Sequence, residues 1–219
     1  MYLPKIFEER RPEVLHSLIR EYPLGTLVVM TAKGLEANHL PFEVDAEPAP
    51  HGVLHGHVAR ANPVWREFDS GVEALVVFNG PQSYVSPEWY PTKQESGKAV
   101  PTWNYVVVHA RGSLHVMDDP TRARAHLEQL TAHHEAGRPH PWKLTDAPAD
   151  YIEQMLKQIV PIEIRLTDLF GKWKVNQNRV DRDRAGVAQG LAQETRAGAQ
   201  EMAEVVGRSL DAKIEATSS

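Results

Sequence analysis

Six short apolar runs, each closed by turn chemistry, most constrain how this chain can fold. They are Thr26 to Met30, Leu35 to Val44, Gly52 to Val58, Glu73 to Phe78, Gln82 to Val85 and Trp103 to Val116. Each has the apolar content and bounding residues of a strand. The stretches Ala32-Lys33-Gly34, Ala49-Pro50-His51-Gly52 and Asn79-Gly80-Pro81 are tight enough to return the chain antiparallel. A further strand pair, Ile159 to Leu166 and Gly171 to Val175, is predicted nearer the C-terminus.

Helical spacing interrupts this pattern. Val14, Leu15, Leu18 and Ile19 predict a helix over Arg11 to Tyr22, opened by Pro12 and stopped by Pro23 and Gly25. Asn62-Pro63 and Asp119-Pro120 are both helix starts, an amide or carboxylate capping the free N–H groups ahead of a proline. The first leads into Val64, Trp65 and Phe68, the second into a helix from Thr121 to His134, and another helix is expected over Ala149 to Gln158. The predicted fold is mainly β with α additions, an antiparallel barrel carrying peripheral helices.

From Asp181 the composition shifts to Ala, Gln, Glu and Gly with sparse apolar positions, which predicts an amphipathic helical tail. The expected organisation is a barrel domain over residues 1–180 and a helical extension over 181–219 that packs on the barrel or on a partner subunit. Residues 171–219 hold eight basic and seven acidic side chains, so the tail is no basic nucleic-acid arm. The whole chain carries a net charge of −5, and no helix-turn-helix with a basic recognition helix is visible.

Cysteine is absent, which removes disulfides, thiolate metal sites and thiol catalysis. The N-terminal stretch lacks the apolar core of a secretory signal and no run has membrane-spanning length, so a cytoplasmic protein is expected. There is no nucleophile elbow, P-loop or Gly-x-Gly-x-x-Gly turn. His55 and His57 share one face of a strand, and His109 and His115 could join them. Without a carboxylate or thiolate at a recognisable spacing, no metal site is expected.

Four segments are rich in aromatic and amide side chains, each at the end of a predicted strand: HGHVARANPVW (55–65), FNGPQSYVSPEWY (78–90), AVPTWNYVVVH (99–109) and GKWKVNQNR (171–179). Taken singly, Trp65 and Phe68 read as core residues and Trp89, Tyr90 and Trp103 as core or subunit contacts. Together they suggest one cleft for a planar ring system with a phosphate tail. Arg60 or Arg179 would pair with the phosphate, and the helix starting at Asn62-Pro63 would offer it N–H groups.

These motifs carry a resemblance. From MYLPKIFEE through HLPF (39–42), LHGHVARANP (54–63), GPQSYVSPEWY (80–90), VPTWNYVVVHARG (100–112), IVPIEI (159–164) and GKWKVNQNR, the chain resembles the PaiB family of FMN-binding negative transcriptional regulators, a branch of the split-barrel flavin-binding fold. The resemblance implies a six-stranded antiparallel split barrel, a homodimer, and FMN in clefts shared by two subunits. It places His57, Arg60 and Asn62 near the phosphate, and Trp173, Gln177 and Arg179 near the ring or the partner's edge. His39, Tyr84, Ser86, Trp103 and Asn104 complete the expected cofactor-binding set. Pro161 and Asn176 depart from the family pattern, which has glycine and often serine there.

Three functions follow as expectations. The first is an FMN-binding negative transcriptional regulator that senses flavin or redox state. The second is a flavin-dependent oxidoreductase of the split-barrel class, with His39, His57 or Tyr84 available for proton transfer. The third is a haem-binding split-barrel protein.

Overall fold

The computed structural model describes the backbone of residues 1–217 and the side chains of residues 1–211. The described elements are, in chain order, β1 (Glu8–Glu9), α1 (Pro12–Glu21), β2 (Leu24–Thr31), β3 (Gly34–Pro41), β4 (Glu43–Asp45), β5 (Val53–Ala59), α2 (Val64–Glu67), β6 (Ala74–Val85), α3 (Pro91–Ser96), β7 (Thr102–Val116), α4 (Pro120–Glu135), α5 (Ala149–Leu156), β8 (Ile159–Lys174), α6 (Asp181–Gln193) and α7 (Ala199–Thr217). A 3-10 turn, Pro87–Trp89, precedes α3. The sheet runs β3-β2-β6-β7-β8-β5-β4, with β1 pairing on β8, and every pairing with a described register is antiparallel.

Chain contacts divide the molecule into two compact units. The first comprises Met1–Arg11, Asn79–Val108 and the chain from Phe170 onward; the second comprises Pro12–Phe78 and His109–Leu169. Three strands, β6, β7 and β8, pass from one unit into the other.

The core of the second unit is built around Phe42. Its ring meets Phe78 edge to face at 5.9 Å between centroids, and two glycines make room for it. A Cβ on Gly25 would lie 3.0 Å from the Phe42 ring and 2.6 Å from Val76, and one on Gly56 would lie 3.0 Å from the same ring. Both approaches need the missing side chain. Burial of a phenylalanine this complete contributes about 2–3 kcal/mol. Leu15 and Ile19 of α1 are fully buried, as their helical spacing predicts. Ala123, Leu144, Ile152 and Leu156 bring α4 and α5 together in a separate small cluster.

In the first unit the tail helix α6 packs on the 3-10 turn. Gly186 and Gly190, one helical turn apart, form its contact face: a Cβ would come within 2.2 Å of the Trp89 carbonyl at Gly186 and 2.4 Å of the Trp89 ring at Gly190. Asp183, 2% exposed, fixes the register by accepting from the Thr92 backbone N–H at 3.1 Å and its hydroxyl at 2.7 Å.

The antiparallel, helix-decorated sheet matches the expected class, with eight strands in place of six. The Leu35–Val44 run divides at Phe42 into β3 and β4, and the Phe42 N–H donates to the Pro23 carbonyl at 2.9 Å, one step beyond the last β2–β3 pair. The two runs flanking Asn79-Gly80-Pro81 form one strand, β6. Its ladder with β2 ends at Phe78, so Pro81, which has no N–H to give, falls where β2 makes no demand on it. Likewise the separate runs expected over 159–166 and 171–175 are both part of β8, and β1 is a two-residue addition against Lys172 and Gly171.

Candidate functional site

The structure sorts the sequence-predicted residues into two groups. His39, His57, Arg60 and Asn62 lie in the second unit; Tyr84, Ser86, Trp103, Asn104, Trp173, Gln177 and Arg179 lie in the first.

In the second unit, Arg60 is already engaged. Its guanidinium donates to both oxygens of Asp118, at 2.6 and 3.1 Å, to the Lys157 carbonyl at 2.7 Å and to the Ile159 carbonyl at 3.0 Å. Four of its five N–H groups are thereby spent. Asp118 raises the Arg60 pKa, and in return Arg60 holds the Asp118 carboxyl below its usual range. The pair stands at the edge of a cavity of about 600 Å³ walled by Ala123, Leu156, Ile159 and Pro161.

Asn62 behaves as its sequence context predicts. Its carbonyl oxygen accepts from the Val64 N–H at 3.0 Å at the start of α2, while its amide donates to Asn38 at 2.7 Å. His39 is exposed on β3, opposite Thr26. His57 meets a residue that sequence reading passed over: its Nδ1 lies 3.0 Å from Nε2 of His126 on α4. Burial lowers the pKa of His57, and burial followed by the charges of His57 and His55 lowers His126 to about 4. Both rings are neutral at pH 7 and share one proton in this bond. Among the described residues, no group of three or more His, Cys, Asp or Glu is placed to hold a metal ion.

In the first unit the residues converge on β6, β7 and β8. Tyr84 and Trp103 meet edge to face at 6.4 Å, and Trp103 donates its indole N–H to Gln82 at 3.2 Å while remaining 49% exposed. Behind them runs a buried amide chain. Asn104 donates to Asn176, whose own amide donates to the Tyr90 hydroxyl at 3.0 Å. Arg179 lies over the Tyr90 ring at 5.0 Å. Gln177 braces the end of β8, accepting from Val175 N–H at 2.8 Å and donating to the Trp173 carbonyl at 2.5 Å. Ser86 caps the 3-10 turn through the Glu88 N–H at 3.3 Å.

Two lysines that sequence reading passed over complete this region. Lys172 and Lys174 are two apart on β8 and so leave the same face. Lys172 is 7% exposed; its ammonium donates to the Tyr2 carbonyl at 3.1 Å and lies 5.3 Å from the Tyr105 ring centre. Lys174 donates to the Thr102 hydroxyl at 2.6 Å and the Trp103 carbonyl at 2.5 Å. Burial, then the neighbouring Lys172, lower the Lys174 pKa. No carboxylate ion-pairs with either ammonium among the described residues. The signal available in the sequence was the alternation Lys-Trp-Lys within a strand.

Two features of the first unit therefore ask for a ligand. A buried and a half-buried cation have no carboxylate partner among the described residues, and the Asn104 side-chain oxygen, fully buried, has no hydrogen-bond donor. An anionic group would neutralise the cations, and a hydrogen-bond donor would satisfy the Asn104 oxygen.

Comparison with known proteins gives the context. Residues 1–168 match the family model "Putative FMN-binding domain". The chain is 32% identical over 214 residues to protease synthase and sporulation protein PAI 2 of Bacillus subtilis, covering 98% of this chain and 100% of that protein. It is 34% identical over 226 residues to the uncharacterized protein AN0679 of Emericella nidulans, covering 87% and 90%. Among solved structures, the FAD and heme binding protein from Mycobacterium smegmatis superposes with a TM-score of 0.58 at 16% identity, over 81% of this chain and 78% of that one.

Proposed function

Because this chain belongs to the PaiB family of FMN-binding domains and has its split-barrel fold, we propose that it is an FMN-binding homodimer that senses flavin or redox state and acts as a negative regulator of transcription. The observation that carries flavin binding is the cation pair Lys172 and Lys174, which has no counter-charge among the described residues and whose second member donates to the Trp103 carbonyl; the orphaned oxygen of Asn104 lies in the same unit. These residues fit FMN by their chemistry, offering cations for a phosphate, aromatic side chains for a ring and an acceptor for a ring N–H. FMN, when bound, supplies electron-accepting and electron-donating chemistry that no side chain has.

Dimerisation is supported by one face of the sheet in the second unit. On β2 the positions Val28 and Met30 alternate with core residues yet stay half-exposed, and on β6 the half-exposed Leu75 pairs with Val28 and Val77 with Thr26. Leu35 of the edge strand β3, opposite Met30, is 73% exposed. A free antiparallel sheet face is normally polar on its outer side, and an apolar one marks a contact surface. The regulatory part rests on the Bacillus relative, whose name refers to protease synthesis and sporulation.

A titration of the purified protein with FMN, read by absorbance and fluorescence and accompanied by light scattering, tests the flavin and dimer parts. Saturable quenching of FMN by a dimer is expected, and a protein that leaves FMN fluorescence untouched sinks the flavin reading. Transcript profiles of cells with and without the gene test regulation.

One observation favours a second reading, a haem protein: the neutral His57 and His126 each keep one ring nitrogen outside their mutual bond. A Soret band on adding haem, lost in His57→Ala, is its test.

A further inference from the structure

We propose that the phosphate-binding subsite of this chain is formed by Lys172 and Lys174 of β8, and that it takes a phosphate monoester such as that of FMN. This inference rests on the flavin reading and makes it specific, moving the anion from Arg60, where sequence reasoning first places it, to a pair of lysines that no comparison singles out.

Three observations carry the assignment. Lys172 is buried with one hydrogen-bond acceptor, the Tyr2 carbonyl, for three ammonium N–H groups, and Lys174 has two, the Thr102 hydroxyl and the Trp103 carbonyl. Two N–H groups on the first, whose ammonium also lies against the Tyr2 and Tyr105 rings, and one on the second make no hydrogen bond among the described residues. Those acceptors are neutral, so they orient the ammonium groups without cancelling their charge. Lys172 is buried and Lys174 half-buried, and the charge of Lys172 disfavours the charged form of Lys174, a repulsion that an anion between them would relieve.

The charge balance selects the anion. A phosphate monoester is largely dianionic at pH 7 and matches two ammonium groups, whereas a carboxylate would neutralise only one. Arg60 presents the opposite situation: Asp118 already neutralises it, and one N–H remains free. An incoming phosphate there would have to displace a carboxylate from a bidentate pair. The Tyr105 ring lies 5.3 Å from the Lys172 ammonium, so an ester with a planar body has an aromatic surface beside its anionic end.

The experiment compares FMN and riboflavin, identical rings with and without the phosphate, on the full-length protein and on Lys172→Met, Lys174→Met, Lys174→Arg and Arg60→Ala. On the wild type we expect FMN to bind at least tenfold more tightly than riboflavin. Each Met variant should erase most of that ratio by weakening FMN alone, Lys174→Arg should restore part of it, and Arg60→Ala should keep it. Equal loss of FMN and riboflavin affinity in the Lys variants, or loss of the ratio in Arg60→Ala, overturns the subsite while leaving flavin binding intact. Equal wild-type affinity for both flavins does the same.

If neither flavin binds, the flavin reading fails by itself, and the subsite is then tested with inorganic phosphate and pyrophosphate by thermal shift. A rise in melting temperature in the wild type that disappears in Lys174→Met keeps the anion site, and no rise ends it. Lys172 is the more buried of the two and its variant could fail to fold. Lys174, which is half-buried, therefore carries the decision.

Discussion

The side-chain amide of Asn176 lies 3.0 Å from the Tyr90 hydroxyl, on a backbone held at φ 67°. Asparagine tolerates this left-handed conformation better than most residues, and its two-ended amide bridges Asn104 to Tyr90 inside the first unit. Asn176→Ala should lower stability by about 2–4 kcal/mol, from strain at positive φ and from buried polar groups left unpaired. Asn176→Gly should cost less because it relieves the strain. Urea denaturation measures both, and equal losses would show that the backbone angle contributes nothing.

Acid should destabilise the fold through His126. Its folded pKa is about 4, lowered first by burial and then by His57 and His55, against about 6.5 when unfolded. The unfolded chain therefore binds the proton first. Stability from the neutral ring is fully present above pH 6.5 and is lost as pH falls from there to about 4. Melting temperature recorded across this window should drop in the wild type and flatten in His126→Leu; parallel profiles would remove His126 from the account.

Two glycines in the tail should respond with opposite sign. Gly190→Ala puts a Cβ 2.4 Å from the Trp89 ring and should cost about 1–3 kcal/mol as overpacking. Gly207→Ala, inside α7 with no neighbour within 4 Å of its Cβ, should gain about 0.5–1 kcal/mol. Calorimetry of the pair separates contact from helix propensity. Limited proteolysis should release the tail earlier in the first variant only.

The apolar sheet face gives a prediction about assembly. Leu75→Glu places a charge among Val28, Met30 and Val77 without touching the buried side of β6. Light scattering should report a monomer with unchanged far-ultraviolet circular dichroism. A dimer of undiminished stability would move the contact elsewhere.

Most strands were legible because alternation and turn residues are local signals. What stayed hidden depended on distant partners. Asn79-Gly80-Pro81 has the residues of a turn, but whether the chain reverses there is decided by where the ladder with β2 ends. Trp103, Asn104, Gln177 and Arg179 stand out in the sequence as candidates because aromatic and amide clusters at strand ends are unusual. Lys172 and Lys174 give no such signal because strand lysines are ordinarily solvated; Lys172 lies against Tyr2 and Tyr105 and Lys174 against Thr102 and Trp103, all far away in the chain. The partner of His57 was hidden for the same reason, sixty-nine residues away on α4.

The long strand β8 has a practical consequence for anyone shortening this protein. The family match ends at residue 168, inside β8, so a fragment trimmed to that boundary would be severed mid-strand. It would retain a fold recognisable by its sequence and lack Lys172, Lys174, Asn176 and the glycine seat of Trp89. Because the first unit is assembled from three separated stretches, no single excision isolates it.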